Sequence, residues 1–300
     1  MTTTLAAAEL LQWRRRQLEA GGEASQLDWL LDLEGGIRWQ TLQQLRLYPD
    51  QSVELEAPLP RLELLWQQHL NSGTPLQYLV GRCPWRDLEL EVQPGALIPR
   101  QETELLVELA EQRLSSSGDA PSGASPLQWA DLGTGSGCLA VALGRCWPGS
   151  RGVAVDQSSE ALALTQRNLS KHHLLESVEL RQGNWWAPLA DWAGQLDLVI
   201  SNPPYIPTAV WKELEPTVRD HEPALALDGG GDGLEAIRAI AAGAAAHLAP
   251  GGWLLLEHHH DQSEAVLALL NGAGLEQVSP HRDLEGIWRF ASGQRPGATP

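Results

Sequence analysis

From Leu127 to the C-terminus the sequence alternates short apolar runs of strand length with longer runs of helical period. Strands separated by helices pair in parallel, because each crossover helix lies back over a face of the sheet. Expected strands are Leu127 to Leu132, Gly152 to Asp156, Val178 to Gln182, Leu196 to Ser201 and Gly252 to Glu257. Expected helices are Cys138 to Cys146, Ser159 to Ser170, Leu234 to Leu248 and Gln262 to Asn271. Two further strands, Leu275 to Ser279 and Gly286 to Ala291, are expected to close the sheet as an antiparallel end. The expected fold class is α/β with a doubly wound sheet.

Upstream the period changes. Residues 1–75 read as a helical bundle, with helices over Leu5 to Leu18, Ser25 to Leu33, Trp39 to Leu47 and Leu59 to Leu70. Gly21-Gly22, Gly35-Gly36, Pro49 and Gly73 supply the breaks, and Ser25 is the expected N-cap of the second helix. Gln77 to Val80 and Leu88 to Val92 read as two strands of a hairpin, so residues 76–98 are expected to link the bundle to a catalytic domain over 99–300. Glu102 to Leu114 reads as a helix and Ser115 to Pro126, rich in Ser, Gly and Pro, as an exposed loop. The bundle carries no chemical motif, and docking of a partner is its expected role.

Charge narrows the partner. The chain of 300 residues carries a net charge of −17. Residues 1–75 hold 10 acids against 6 bases and residues 76–300 hold 28 against 15, so neither part is cationic. Nucleic-acid binding rests on clustered Lys and Arg, so the expected partner is a protein or small molecule, without direct contact to nucleic acid. No run of about 18 apolar residues occurs, and the N-terminus lacks a basic start followed by an apolar run. The three cysteines are scattered, and the adjacent His258, His259 and His260 cannot converge on one ion. The expectation is a soluble, cytoplasmic chain with no membrane span and no metal.

Two motifs carry chemistry. Asp131-Leu-Gly-Thr-Gly-Ser-Gly137 stands between an expected strand and an expected helix, and Asp156 ends the next strand. Glycines let a ligand approach the backbone, the helix start offers free N–H groups, and a carboxylate at Asp156 can accept both ribose hydroxyls of a nucleoside. This much fits both a nicotinamide cofactor and S-adenosylmethionine. The dinucleotide fingerprint G-x-G-x-x-G wants glycine where Cys138 stands. The order found, G-x-G-x-G after an acid, resembles the cofactor loop of class I methyltransferases.

The second motif, Asn202-Pro-Pro-Tyr205, follows the strand that ends at Ser201. Two prolines stiffen the loop and remove N–H donors. The Pro203 carbonyl and the Asn202 side-chain oxygen can therefore accept the two diverging hydrogens of a planar –NH2 group. Tyr205 is expected to wall the pocket or stack on the flat substrate group. Acceptors on both hydrogens raise electron density at an amide nitrogen and hold it in place for methyl transfer, where orientation is the main catalytic need. His221 and Glu222 follow closely enough to border the pocket.

Several further segments resemble one family. These are Pro75-Leu-Gln-Tyr-Leu-Val-Gly81, Leu97-Ile-Pro-Arg-Gln-Glu-Thr-Glu104, Glu222-Pro-Ala-Leu-Ala-Leu-Asp-Gly-Gly-Gly-Asp-Gly-Leu234 and Leu256-Glu-His258. With the two motifs above and the order of domains, they resemble the release factor glutamine methyltransferases. The resemblance implies a class I S-adenosylmethionine-dependent methyltransferase fold, Rossmann-like, with a small N-terminal helical domain. It implies methyl transfer from S-adenosylmethionine to the side-chain amide N5 of the glutamine in the Gly-Gly-Gln motif of peptide chain release factors. It places Gly133, Thr134, Gly135, Ser136, Gly137, Asp156, Asn184, Trp185 and Asn202 at the cofactor, and Asn202, Pro203, Pro204 and Tyr205 at the substrate glutamine. Two positions depart from the family: Gln101 stands where proline is usual and Asn184 where aspartate is usual. Arg100, Glu102 and Glu104 either line the mouth of the site or form a charged helix start. An adenine N6-methyltransferase would share both motifs, and the acidic charge argues against it.

Overall fold

In the N-terminal part, apolar residues recur at helical spacing and define four buried stripes. The computed structural model describes residues 2–116 and 126–297. A short strand β1 (Thr3–Ala6) leads into helices α1 (Ala7–Ala20), α2 (Ala24–Leu33) and α3 (Trp39–Leu47). Strand β2 (Ser52–Leu55) pairs antiparallel with β1, and α4 (Leu59–Ser72) and α5 (Leu76–Val80) follow. Leu10 and Trp13, Leu27 and Leu30, Leu42 and Leu45, and Leu62 and Trp66 bury one stripe from each of the four long helices into a common core. Ser25 lies inside α2, whose N-cap position is Glu23.

The run Gln77 to Val80 is helical where a strand is expected. Pro75 holds a fixed φ of −52° at the N-cap, and Gly81 closes the turn at φ 79° with its N–H on the Gln77 carbonyl, 2.7 Å. Punctuation at both ends therefore overrules the β preference of four residues. The hairpin begins after it, with β3 (Arg82–Trp85) and β4 (Leu88–Glu91) paired antiparallel.

Helix α6 (Glu104–Ser116) precedes the main sheet; residues 117–125, most of the expected exposed loop, lie outside the described residues. Then come β5 (Gln128–Leu132), α7 (Cys138–Cys146), β6 (Arg151–Asp156), α8 (Ser159–Lys171), β7 (Val178–Gln182) and β8 (Leu196–Ser201). Three short helices follow, α9 (Thr208–Trp211), α10 (Pro216–Arg219) and α11 (Ala224–Leu227). The chain continues with α12 (Glu235–His247), β9 (Leu248–Glu257), α13 (Ser263–Gly272), β10 (Glu276–Arg282) and β11 (Trp288–Gln294).

The seven strands lie in the order β10-β11-β9-β8-β5-β6-β7. β9, β8, β5, β6 and β7 run parallel, and β11 is antiparallel to both of its neighbours. Alternate residues of β8 feed two cores, Leu198 and Ile200 on the α7 face and Val199 on the α12 face. The described chain divides into two units, Met1–Gly81 with Pro216–His221, and Arg82–Glu215 with Glu222–Pro300, so the hairpin belongs to the larger unit. Among the described residues no helix is long and apolar enough to cross a membrane.

One buried side chain joins the hairpin to the site. Asn168 of α8 is fully buried, donates to the carbonyls of Glu91 (2.9 Å) and Ser136 (2.8 Å), and accepts from the Glu91 N–H at 2.7 Å. Asn168→Ala strands all three groups, and a buried unsatisfied group costs about 1–3 kcal/mol. Chemical denaturation is expected to show a loss of at least about 2 kcal/mol; a loss under about 0.5 kcal/mol would mean that these groups find other partners.

Candidate active site

β5 is central, and the chain winds from it through β6 to β7 before crossing back to β8 on the other side. Ligands of such sheets sit beyond the carboxyl ends of the strands at this switch in direction. The loops after β5, β6 and β8 carry the glycine motif, Asp156 and Asn202, so the topology gathers segments that are remote in sequence. A cleft opens there, walled by Gly133, Thr134, Gly135, Ser136, Asp156, Asn184, Trp185, Asn202 and Pro204, all in the larger unit.

The glycine loop is tied down by side chains. Asp131 is fully buried at the end of β5, accepts from the Thr134 hydroxyl at 2.7 Å and from the Ala140 N–H at 3.1 Å, and is pushed up to about 7 by burial. Gly133 has φ 75°, and a Cβ there would lie 3.3 Å from the Trp185 ring. Trp185 itself has φ 48°, a left-handed conformation that costs a bulky residue roughly 1–2 kcal/mol. That backbone sets its ring over the loop as a flat apolar wall. Gly137 serves differently: it does not line the cleft, and a Cβ would meet Thr165 of α8 at 2.8 Å.

Asp156 ends β6 with its carboxylate in the cleft wall. Its Oδ2 accepts the Gly135 N–H and its Oδ1 the Ser158 N–H, both at 2.9 Å. Burial raises its pKa above the ordinary aspartate value, against these hydrogen bonds. Each oxygen has a further lone pair, so the carboxylate is aimed and can still accept from a ligand. Asn184 is exposed at the rim. Its side chain can present an oxygen as an acceptor where the family has a carboxylate. Gln101 is exposed and its carbonyl accepts the Glu104 N–H at 3.0 Å, a contact that proline at this position would keep.

The loop after β8 is held from beneath. Asn202 Nδ2 donates to the Thr103 hydroxyl at 3.0 Å, and that hydroxyl donates to Glu257 Oε2 at 2.7 Å. The Tyr205 hydroxyl donates to Glu257 Oε1 at 3.0 Å, and the Tyr205 carbonyl accepts from Gln262 at 2.9 Å. Among the described residues neither Asn202 Oδ1 nor the Pro203 carbonyl has a hydrogen-bond partner. Of this loop Asn202 and Pro204 line the cleft, and Pro203 and Tyr205, expected at the substrate, do not: Pro203 is buried and Tyr205 is committed to Glu257. Burial pushes the Tyr205 hydroxyl far above its ordinary range, so it stays a donor.

Arg100 lines the cleft and pairs with buried Glu222 at 2.6 Å, which also accepts the Ile98 N–H. Glu104 accepts the Arg86 N–H at 2.9 Å and begins α6. His221 groups with the smaller unit, its Nε2 2.9 Å from the Ser72 carbonyl. Thr103 and Glu257 stand in family-like segments of the sequence with no role attached; only their convergence under Asn202 supplies one. Leu97, the first residue of a family-like segment, also lines the cleft, as do Gly95 and Ala96, which carry no recognisable signal.

Fold and cleft together define a class I, Rossmann-like methyltransferase domain. Residues 103–214 match the family described as Methyltransferase small domain. The chain is 49% identical to the release factor glutamine methyltransferase of Prochlorococcus marinus, over 97% of each chain. It is 45% identical to that of Thermosynechococcus vestitus, over 84% of each. Among solved structures, the N-terminal domain of human METTL16 in complex with SAH shares the fold, with a TM-score of 0.50 at 13% identity over 90% of this chain and 94% of that one. The chain belongs to the release factor glutamine methyltransferase family.

Proposed function

We propose that this chain transfers a methyl group from S-adenosylmethionine to the side-chain amide N5 of the glutamine in the Gly-Gly-Gln motif of peptide chain release factors, in the cytoplasm and without direct contact to nucleic acid. The observation that carries the reading is the unpartnered Oδ1 of Asn202, a residue of the cleft wall beside the glycine motif, with the unpartnered Pro203 carbonyl next to it in the chain.

The residues present fit the cofactor. Glycines at 133 and 135 keep side chains out of the approach, Asp156 has a free lone pair on each oxygen for ribose hydroxyls, and Trp185 with Asn184 offers a flat wall and a polar rim for a base. Bound there, S-adenosylmethionine supplies an electrophilic methyl group on a sulfonium. The chain's own work is orientation. Asn202 Oδ1 and the Pro203 carbonyl accept the two amide hydrogens, which fixes the nitrogen and raises its electron density. Pro203 and Pro204 contribute no competing N–H donor and hold the two acceptors in one geometry. Pro204 walls the cleft beside them, and Tyr205 braces the loop through Glu257.

The test is mass spectrometry of a release factor after incubation with the full chain and S-adenosylmethionine, beside a DNA arm. One methyl added at the Gly-Gly-Gln glutamine is expected. Transfer to adenine with an unchanged release factor would replace this reading with the nucleic-acid one. The smaller unit is proposed to dock the release factor. A chain lacking residues 1–75 that still binds cofactor is expected to lose most methylation of the whole release factor; the full rate in that chain would remove the docking role.

A further inference from the structure

We infer that Glu257, acting through Thr103, dictates which end of the Asn202 carboxamide faces the cleft, and is thereby a positioning residue for the substrate amide. The inference rests on the proposed methyl transfer to glutamine. Its ground is the direction of the hydrogen bonds.

An ionised carboxylate only accepts. Glu257 is buried at the end of β9, 1% exposed, and its two oxygens face two hydroxyls, Thr103 at 2.7 Å and Tyr205 at 3.0 Å. Both hydroxyls must therefore spend their single proton on Glu257. The Thr103 oxygen can then only accept from its other neighbour, and the atom of Asn202 3.0 Å away must be its –NH2 nitrogen. The opposite end of the carboxamide, Oδ1, is left for the cleft. A carboxamide has two ends of nearly equal size, so shape alone would not choose between them. Burial pushes Glu257 up to about 6, against the hydrogen bonds donated by Thr103 and Tyr205, which favour the ionised form. The chain of donors and acceptors thus converts one buried charge into an acceptor pointed at the substrate –NH2.

Glu257→Gln keeps size and burial but can donate. Its –NH2 can bond the Thr103 oxygen, which frees the Thr103 proton to turn to Asn202 and draws Oδ1 out of the cleft. The single-turnover rate is expected to fall about tenfold or more with cofactor affinity unchanged, since a hydrogen bond to a charged group is worth roughly a factor of ten to a hundred. Thr103→Val, which removes the relay while Glu257 stays in place, is expected to show a similar loss, and Thr103→Ser to restore most of the rate. In an Asn202→Ala background Glu257→Gln is expected to change the rate less than about twofold, because the two residues act through one contact. The same loss in both backgrounds would make Glu257 merely structural and overturn the inference, as would a wild-type rate in both Glu257→Gln and Thr103→Val. Hydrogen exchange of the Asn202 side-chain amide, read by nuclear magnetic resonance, needs no turnover. Protection in the wild type that disappears in Thr103→Val and is kept in Thr103→Ser supports the relay, and equal exchange in all three overturns it. A wild-type chain inactive on release factors would sink the proposed function, and the exchange measurement would still decide the inference.

Discussion

Asn202→Ala is expected to lower the single-turnover rate of glutamine methylation about 100- to 1,000-fold, the usual cost of deleting one well-aimed polar contact at a reacting group. The substitution removes Oδ1, one of the two proposed acceptors, and leaves the amide free to rotate about its remaining contact to the Pro203 carbonyl. The fold is expected to survive. Asn202 is only half-buried, and the loop keeps Pro203, Pro204, the Tyr205–Glu257 bond and the Gln262 bond to the Tyr205 carbonyl. Thr103 loses one donor and keeps its bond to Glu257. The decisive measurement is the rate with cofactor shown to be bound. A rate within about threefold of wild type would mean that the substrate amide is held elsewhere, and the assignment of this loop would fall.

Asp156→Ala is expected to weaken S-adenosylmethionine binding about tenfold to a hundredfold, since a hydrogen bond to a charged group is worth roughly 1.5–3 kcal/mol. The structure adds a second cause. The same carboxylate anchors the Gly135 and Ser158 N–H groups, so its removal also slackens the glycine loop and the start of α8. Both effects act on cofactor affinity, and neither touches the acceptors at Asn202. Calorimetry should therefore show the loss in binding, while the rate at saturating cofactor changes much less. Unchanged affinity would take Asp156 out of the site.

Much of the molecule was legible because its signals are local. The strand-helix alternation after Leu127 anticipates five parallel strands and an antiparallel end, with boundaries close to those found. The glycine motif and Asn202 to Tyr205 declare themselves because backbone approach and rigid acceptors need particular residues at adjacent positions. Errors arose where a short segment answers to its surroundings. Leu76–Val80 is helical because Pro75 and Gly81 bracket it, and β1 pairs with β2 across the α1–α3 segment, a pairing that four residues of sequence do not announce.

The sequence by itself determined the α/β class, the glycine loop, the aspartate at the next strand end and the Asn202-Pro-Pro-Tyr205 motif, since each is written in contiguous residues. Tertiary structure alone decided what stands behind them. Thr103 lies 99 residues from Asn202 and 154 from Glu257, and no periodicity or spacing links the three. The order β9-β8-β5 brings the ends of β8 and β9 side by side, and the segment before α6 lays Thr103 between their side chains. A hydroxyl trapped between a carboxylate and a carboxamide has one arrangement of protons that satisfies all three groups. That arrangement exists only once the strands have paired, so the end of Asn202 left for the cleft is a property of the fold rather than of the motif.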